Sequence, residues 1–159
     1  MAVPLTLVRD DNLLQFPIGL SNALAAREAE LVLAPAIPFH ALCEDHLLPY
    51  DGTVHIGYIP GEKQLSQAEF ARIVEACSGG IQVQQQMTTR IGLWLHHQLA
   101  PRGVGVLVEG ARACVTARGG IPIAGPPTTL AFYGSLHDSA DGQREFLALA
   151  RRTADSKDE

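Results

Sequence analysis

A cysteine and a histidine separated by two residues, Cys43 and His46, stand immediately before a run of strand-like alternation, and no other feature restricts this chain as much. That spacing lets a thiolate sulfur and an imidazole nitrogen converge on one tetrahedral ion from a single turn. A second sulfur, Cys114, lies far downstream in a stretch with its own turn punctuation, Ala111 to Gly120. After the pair, Tyr50-Asp51-Gly52-Thr53 carries the Asp-Gly of a tight reversal. Val54, Ile56 and Tyr58 then alternate with His55 and Gly57, the period of a strand with one covered face. Leu31 to Leu42 is apolar but broken by Pro35 and Pro38, which cannot donate to a ladder, so it reads as a bulged or edge strand. The two strands are expected to form a hairpin.

Downstream the period changes. Ser66-Gln67-Ala68-Glu69 is a capping box, and behind it Phe70, Ile73, Val74 and Cys77 mark the apolar face of a helix that Gly79-Gly80 ends. A second helix is predicted from about Gln82 to Leu99, with Val83, Met87, Ile91, Leu95 and Leu99 in one stripe and Pro101 as the stop. Val104, Val106 and Val108 restart the two-residue alternation toward Cys114, and Thr128 to Leu136 gives a fourth strand. An amphipathic helix is expected from about Asp141 to Arg152. This order predicts an α+β domain over 31–152, an antiparallel sheet with its helices on one face. Residues 1–30 are expected to be an N-terminal extension in which Ser21 can cap a short helix, and 153–159 a frayed polar tail.

The stretch Cys43-Glu44-Asp45-His46-Leu47-Leu48-Pro49, followed by Gly52-Thr53-Val54-His55-Ile56-Gly57-Tyr58-Ile59-Pro60, resembles the GTP cyclohydrolase I family. That family's signature reads Cys-Glu-His-His-Leu-Leu-Pro and then Gly-x-x-His-Val-Gly-Tyr-Ile-Pro. The likeness extends from about Phe39 to about Gly134, through Leu65-Ser66, Gln82-Val83-Gln84, the Pro101 to Val108 strand and Cys114 to Gly119. It implies the T-fold, a four-stranded antiparallel sheet with two helices on one face, in which subunits join their sheets into a barrel. A homo-oligomer with sites near subunit interfaces follows from the same resemblance.

The resemblance also implies Zn2+ held by Cys43, His46 and Cys114, with the fourth position left to a water whose pKa the metal lowers to about 7. Several positions depart from the pattern. Asp45 replaces a second histidine; a carboxylate there can act as a general base or hold a neighbouring ligand in place. Arg112 replaces a proton-donating histidine and, always charged, can stabilise an anion but not donate a proton. Gln67 and Phe70 stand where the family has the lysine and arginine that help bind a triphosphate, while Arg118 remains. Gln85 replaces the guanine-reading glutamate, exchanging two acceptors for one acceptor and one donor. Ser66 and His55 match the family and are taken with Gln85 and Arg118 as substrate-binding candidates.

Composition limits the alternatives. Three cysteines among 159 residues cannot all be paired, and Cys77 sits at an apolar helix position as a small buried hydrophobe. A net charge of -5 with 18% charged residues gives no reason to expect nucleic acid. No stretch approaches the ~20 apolar residues of a membrane span, and Met1 to Leu7 lacks the basic start of a secretory signal, so a cytoplasmic protein is expected. The leading expectation is a zinc-dependent hydrolase whose metal-bound hydroxide attacks an sp2 carbon of a small nitrogen heterocycle or cyclic amide other than GTP. Asp45 and Arg112 would be its catalytic residues. Retained GTP cyclohydrolase I activity is the first alternative, and a non-catalytic zinc-stabilised binding subunit the second.

Overall fold

Six strands of one sheet and four helices make up residues 30–112 and 127–155, the part of the chain that the computed structural model describes. Its centre is the hairpin of β2 (Ile37–Cys43) and β3 (Pro49–Ile59), antiparallel with Leu42 opposite Pro49 and Ile37 opposite Val54. Ahead of Pro35, β1 (Val32–Leu33) lies on the far end of β3, where the apolar run resumes its pairing beside Gly57 and Tyr58. On its other side β3 pairs with β5 (Gly103–Arg112), from Tyr50 opposite Arg112 to Ile59 opposite Gly103. β5 in turn pairs with β6 (Thr128–Gly134). The four long strands are antiparallel, as their patterns predict.

The reversal between β2 and β3 is not at Asp51-Gly52. Residues Glu44–His46 make it, closed by the Cys43 N–H donating to Leu48 O at 2.9 Å and the Leu47 N–H donating to Cys43 O at 2.8 Å. Asp51 and Gly52 lie within β3, opposite His40 and Phe39. Gly52 serves packing rather than turning: a Cβ there would stand 2.6 Å from the ring of Phe39. Asp51 accepts from His40 Nδ1 at 2.7 Å on the exposed side of the strand.

Helix α1 (Gln67–Ser78) carries both bonds of the expected capping box, with Ser66 Oγ accepting the Glu69 N–H and Glu69 Oε2 accepting the Ser66 N–H. Helix α2 (Gln84–Leu99) starts later than the apolar stripe suggests, because Ile81–Gln82 form a short strand, β4, parallel to the end of β2. It ends where Ala100 takes a left-handed φ of 46° ahead of Pro101, a stop that puts the last turn's carbonyls within reach of new partners. Phe70, Ile73 and Val74 of α1 and Met87, Ile91, Leu95 and Leu99 of α2 pack on Phe39, Val54, Ile56, Val104, Val106 and Val108. Each side chain of this size, fully withdrawn from water, contributes about 1.5–3 kcal/mol.

The opposite face of the sheet has its own cover. After the single turn α3 (Ser135–Asp138), α4 (Ala140–Asp155) lays Phe146 and Ala150 on Leu107, Phe132, Leu31 and Leu33. Phe146 meets Phe132 edge-on, centroids 5.7 Å apart, and its ring occupies the space above Gly57 and Gly105. Residues 153–155, expected to fray, continue the helix, where Thr153 Oγ1 donates to Ala150 O at 2.7 Å. The expected extension at 1–29 and the last four residues lie outside the described residues. Among those described, no helix is long and apolar enough to cross a membrane.

Candidate metal centre

The Glu44–His46 turn gathers three donors. Cys43 Sγ and His46 Nδ1 are 3.9 Å apart, and one ligand atom from each of Cys43, Asp45 and His46 lies within 4.8 Å of the other two. Cys43 is buried at the end of β2, His46 is half-buried and Asp45 is exposed. Leu47 closes the turn in the left-handed region at φ 54°, which costs a residue with a Cβ about 1–2 kcal/mol.

The turn is also pegged from behind. β4 places Gln82 opposite Cys43 and Ile81 opposite Leu42, and the Leu42 N–H donates to Gly80 O at 2.9 Å. Gln82 is held in turn, its Nε2 donating to Gly79 O at 2.8 Å and its Oε1 accepting from Arg90 at 3.4 Å. Beside the donors lies a cavity of about 130 Å3 lined by Cys43, Glu44, Asp45, Tyr50, Gln82 and Val83. Among the described residues, two carboxylates, Glu44 and Asp45, border it.

Thiolate, imidazole and carboxylate are the donor types that Zn2+ takes, at bond lengths of about 2.0–2.3 Å, which puts neighbouring donors about 3.3–3.6 Å apart in a tetrahedron. The Cys43–His46 separation of 3.9 Å is close to that, and the exposed Asp45 has room to rotate inward. The residues present fit the metal.

Other candidates are distributed differently. Arg112 ends β5 directly opposite Tyr50, so its backbone is at the cavity's end of the sheet. Cys114 and Arg118 lie outside the described residues. Ser66 is the N-cap of α1, engaged with Glu69. Gln85, exposed in the first turn of α2, lines a separate groove with Thr89, Arg90, Leu93 and Trp94. His55 faces away from Cys43: it is 1% exposed beneath α4, with Nε2 3.8 Å from Glu109 and Nδ1 3.4 Å from Thr153 Oγ1.

Two cavity residues are not among the sequence-based site candidates, Tyr50 and Gln82, although Gln82 lies in the Gln82-Val83-Gln84 stretch of the resemblance. Continuing the alternation of Val54, Ile56 and Tyr58 backward through Gly52 puts Tyr50 on the covered face, and taking Asp51-Gly52 as a turn hides that signal. The role of Gln84, in the same stretch, is legible only in three dimensions. It is 1% exposed, and its Nε2 donates to Val108 O at 3.0 Å and Pro127 O at 2.8 Å, tying α2 to the start of β6.

An antiparallel sheet with paired helices on one face and a ligand-bearing turn at the tip of its central hairpin defines a T-fold protein. The sequence model of GTP cyclohydrolase I matches residues 15–151, and the chain belongs to the GTP cyclohydrolase I family. It is 42% identical over 120 residues to GTP cyclohydrolase 1 of Campylobacter concisus, covering 76% of this chain and 63% of that protein. The Deinococcus radiodurans enzyme of the same name is 37% identical over 132 residues, 83% of this chain and 61% of its own length. The chain thus spans somewhat over six tenths of these relatives. Among solved structures, the apo archaeosine synthase QueF-Like superposes with a TM-score of 0.54 at 17% identity, over 69% of this chain and 98% of that one, a likeness of fold.

Proposed function

We propose that this protein is a zinc-dependent hydrolase that attacks an sp2 carbon of a small nitrogen heterocycle or cyclic amide other than GTP. The observation that carries this reading is Asp45, a carboxylate within 4.8 Å of the thiolate and imidazole where the family pattern has a second histidine. Zinc held by Cys43, His46 and Cys114 would supply Lewis acidity and lower the pKa of a coordinated water to about 7.

Each protein group has a distinct task. Asp45 accepts a proton at a carboxylate oxygen. Arg112 and Arg118 offset negative charge on the substrate, and Gln85 orients it through one donor and one acceptor. Tyr50 and Gln82 wall the cavity. At about 130 Å3 that cavity is below the ~300 Å3 of an ordinary small-molecule pocket, so a second copy would supply further walls. Exposed Leu42, Leu47, Leu48 and Ile81 around the turn, 37–59% accessible, support a homo-oligomer that covers them.

Metal analysis and turnover assays test the proposal. One zinc per chain, no formate from GTP and release of product from a less charged heterocycle or cyclic amide are expected. Absence of stoichiometric zinc overturns it. Formate and a fluorescent pterin from GTP would establish the second reading, retained GTP cyclohydrolase I activity, which is favoured by the name the relatives at 37–42% identity carry.

A further inference from the structure

We propose that the groove along α2 is a second binding site, one that takes a small aromatic carboxylate with its ring on Leu93 and Trp94 and its charge on Arg90. This goes beyond the hydrolase reading, since it requires neither zinc nor turnover. The groove measures about 540 Å3, within the ~300–1,000 Å3 of small-molecule sites. Arg90 and Trp94 are four residues apart in one helix and both line it, beside Thr89, Leu93 and His97. Side chains at that spacing are neighbours, with Cβ atoms about 5–6 Å apart, a separation that a ring bonded directly to a carboxylate spans. Apolar surface lies open here: Leu93 is 40% exposed, and Trp94 packs against the core yet is only half-buried.

Charge sets the polarity of the ligand. Arg90 is the one residue lining the groove that is charged at every ordinary pH, and no acid lines it among the described residues. Its Nη1 donates to Cys77 O at 3.5 Å and to Gln82 Oε1 at 3.4 Å, contacts that orient the guanidinium without neutralising it. Among the described residues no carboxylate pairs with Arg90, and its Nε and Nη2 donate to no protein group. A guanidinium offers a carboxylate two parallel N–H···O bonds, and one fixed cation matches one negative charge rather than the two of a phosphate dianion. The indole beside it supplies a flat apolar face on which a ring can stack.

Trp94 is the single tryptophan of the chain, so its fluorescence reports on this groove directly. The test titrates the full chain with benzoate, with benzamide, which keeps the ring without the charge, and with acetate, which keeps the charge without the ring. Benzoate is expected to change the Trp94 emission saturably, and the other two to half-saturate at concentrations about tenfold higher or more. Arg90→Gln is expected to raise the half-saturating benzoate concentration by about tenfold or more as well. Arg90 is exposed, so this variant leaves the packing intact, and an unchanged far-UV circular dichroism spectrum verifies it.

The absence of a saturable change with benzoate overturns the proposal, as does equal binding of benzamide or full binding in Arg90→Gln. Loss of benzoate binding on removal of zinc would put the anion on the metal and overturns it too. So does a half-saturation that rises with protomer concentration, which would show a second copy of the chain covering the groove.

Discussion

If Phe146 seats α4 on the sheet by filling the space over Gly57, then Gly57→Ala and Phe146→Ala must be strongly coupled. A Cβ on Gly57 would stand 2.5 Å from Phe146 Cδ2 and 2.9 Å from Cε2, well inside contact distance. The ring cannot swing away cheaply, because it is 0% exposed and wedged against Phe132, Leu107 and Ala150. Gly57→Ala alone should therefore cost about 1–3 kcal/mol through overpacking. Phe146→Ala alone should cost about 3–5 kcal/mol, the transfer of a buried ring plus the cavity it leaves. In the double variant the new methyl enters vacated space, so the cycle should return a favourable coupling of about 1–3 kcal/mol. Urea unfolding followed by far-UV circular dichroism measures all four proteins, at one protomer concentration because association shifts midpoints. Additivity within about 0.5 kcal/mol would show that the ring does not hold the helix against that glycine.

Ser66→Ala should lower stability by about 1 kcal/mol in a thermal melt, through loss of the cap on α1; an unchanged midpoint would leave Ser66 free for the substrate. Leu47→Gly should raise the free energy of unfolding by up to about 1 kcal/mol, since glycine accepts φ 54° without the Cβ clash. A fall instead would show the exposed leucine engaged elsewhere. Burial raises the Cys77 thiol above its ordinary 9.0, partly countered by nearby Arg90, and raises the Tyr58 phenol above 10.0. The unfolded chain gives up these protons first, so their stabilisation is complete below about pH 9 and is lost as pH climbs through the folded values. Denaturation between pH 7 and 11 should show this decline, beginning later in Cys77→Ala.

The long elements are legible because each has one buried face and a strong period. Phe70, Ile73, Val74 and Cys77 call for a helix, and Val104, Val106 and Val108 for a strand, whatever surrounds them. The errors fall where local chemistry yields to packing. Asp51-Gly52 has the composition of a turn, yet a Cβ at the glycine would meet the Glu109 carbonyl and the Phe39 ring. The second helix is expected from about Gln82, but the open edge of β2 takes Ile81 and Gln82 as a strand. At the site, Cys43 and His46 are candidates because their spacing coincides with the family resemblance. Tyr50 and Gln82 are not, because they reach the cavity from other parts of the sheet.

The pairing of β4 with β2 ties together segments about forty residues apart in sequence, for it sets Gln82 beside the cysteine that ends β2. The link from α1 through Gly79 and Gly80 consequently works as a spacer of set length. One residue more or fewer in it would shift the registration of that short strand and carry the cysteine's neighbour out of place. Tolerance to insertion in this molecule should then be lowest at a helix connection remote in sequence from every proposed ligand.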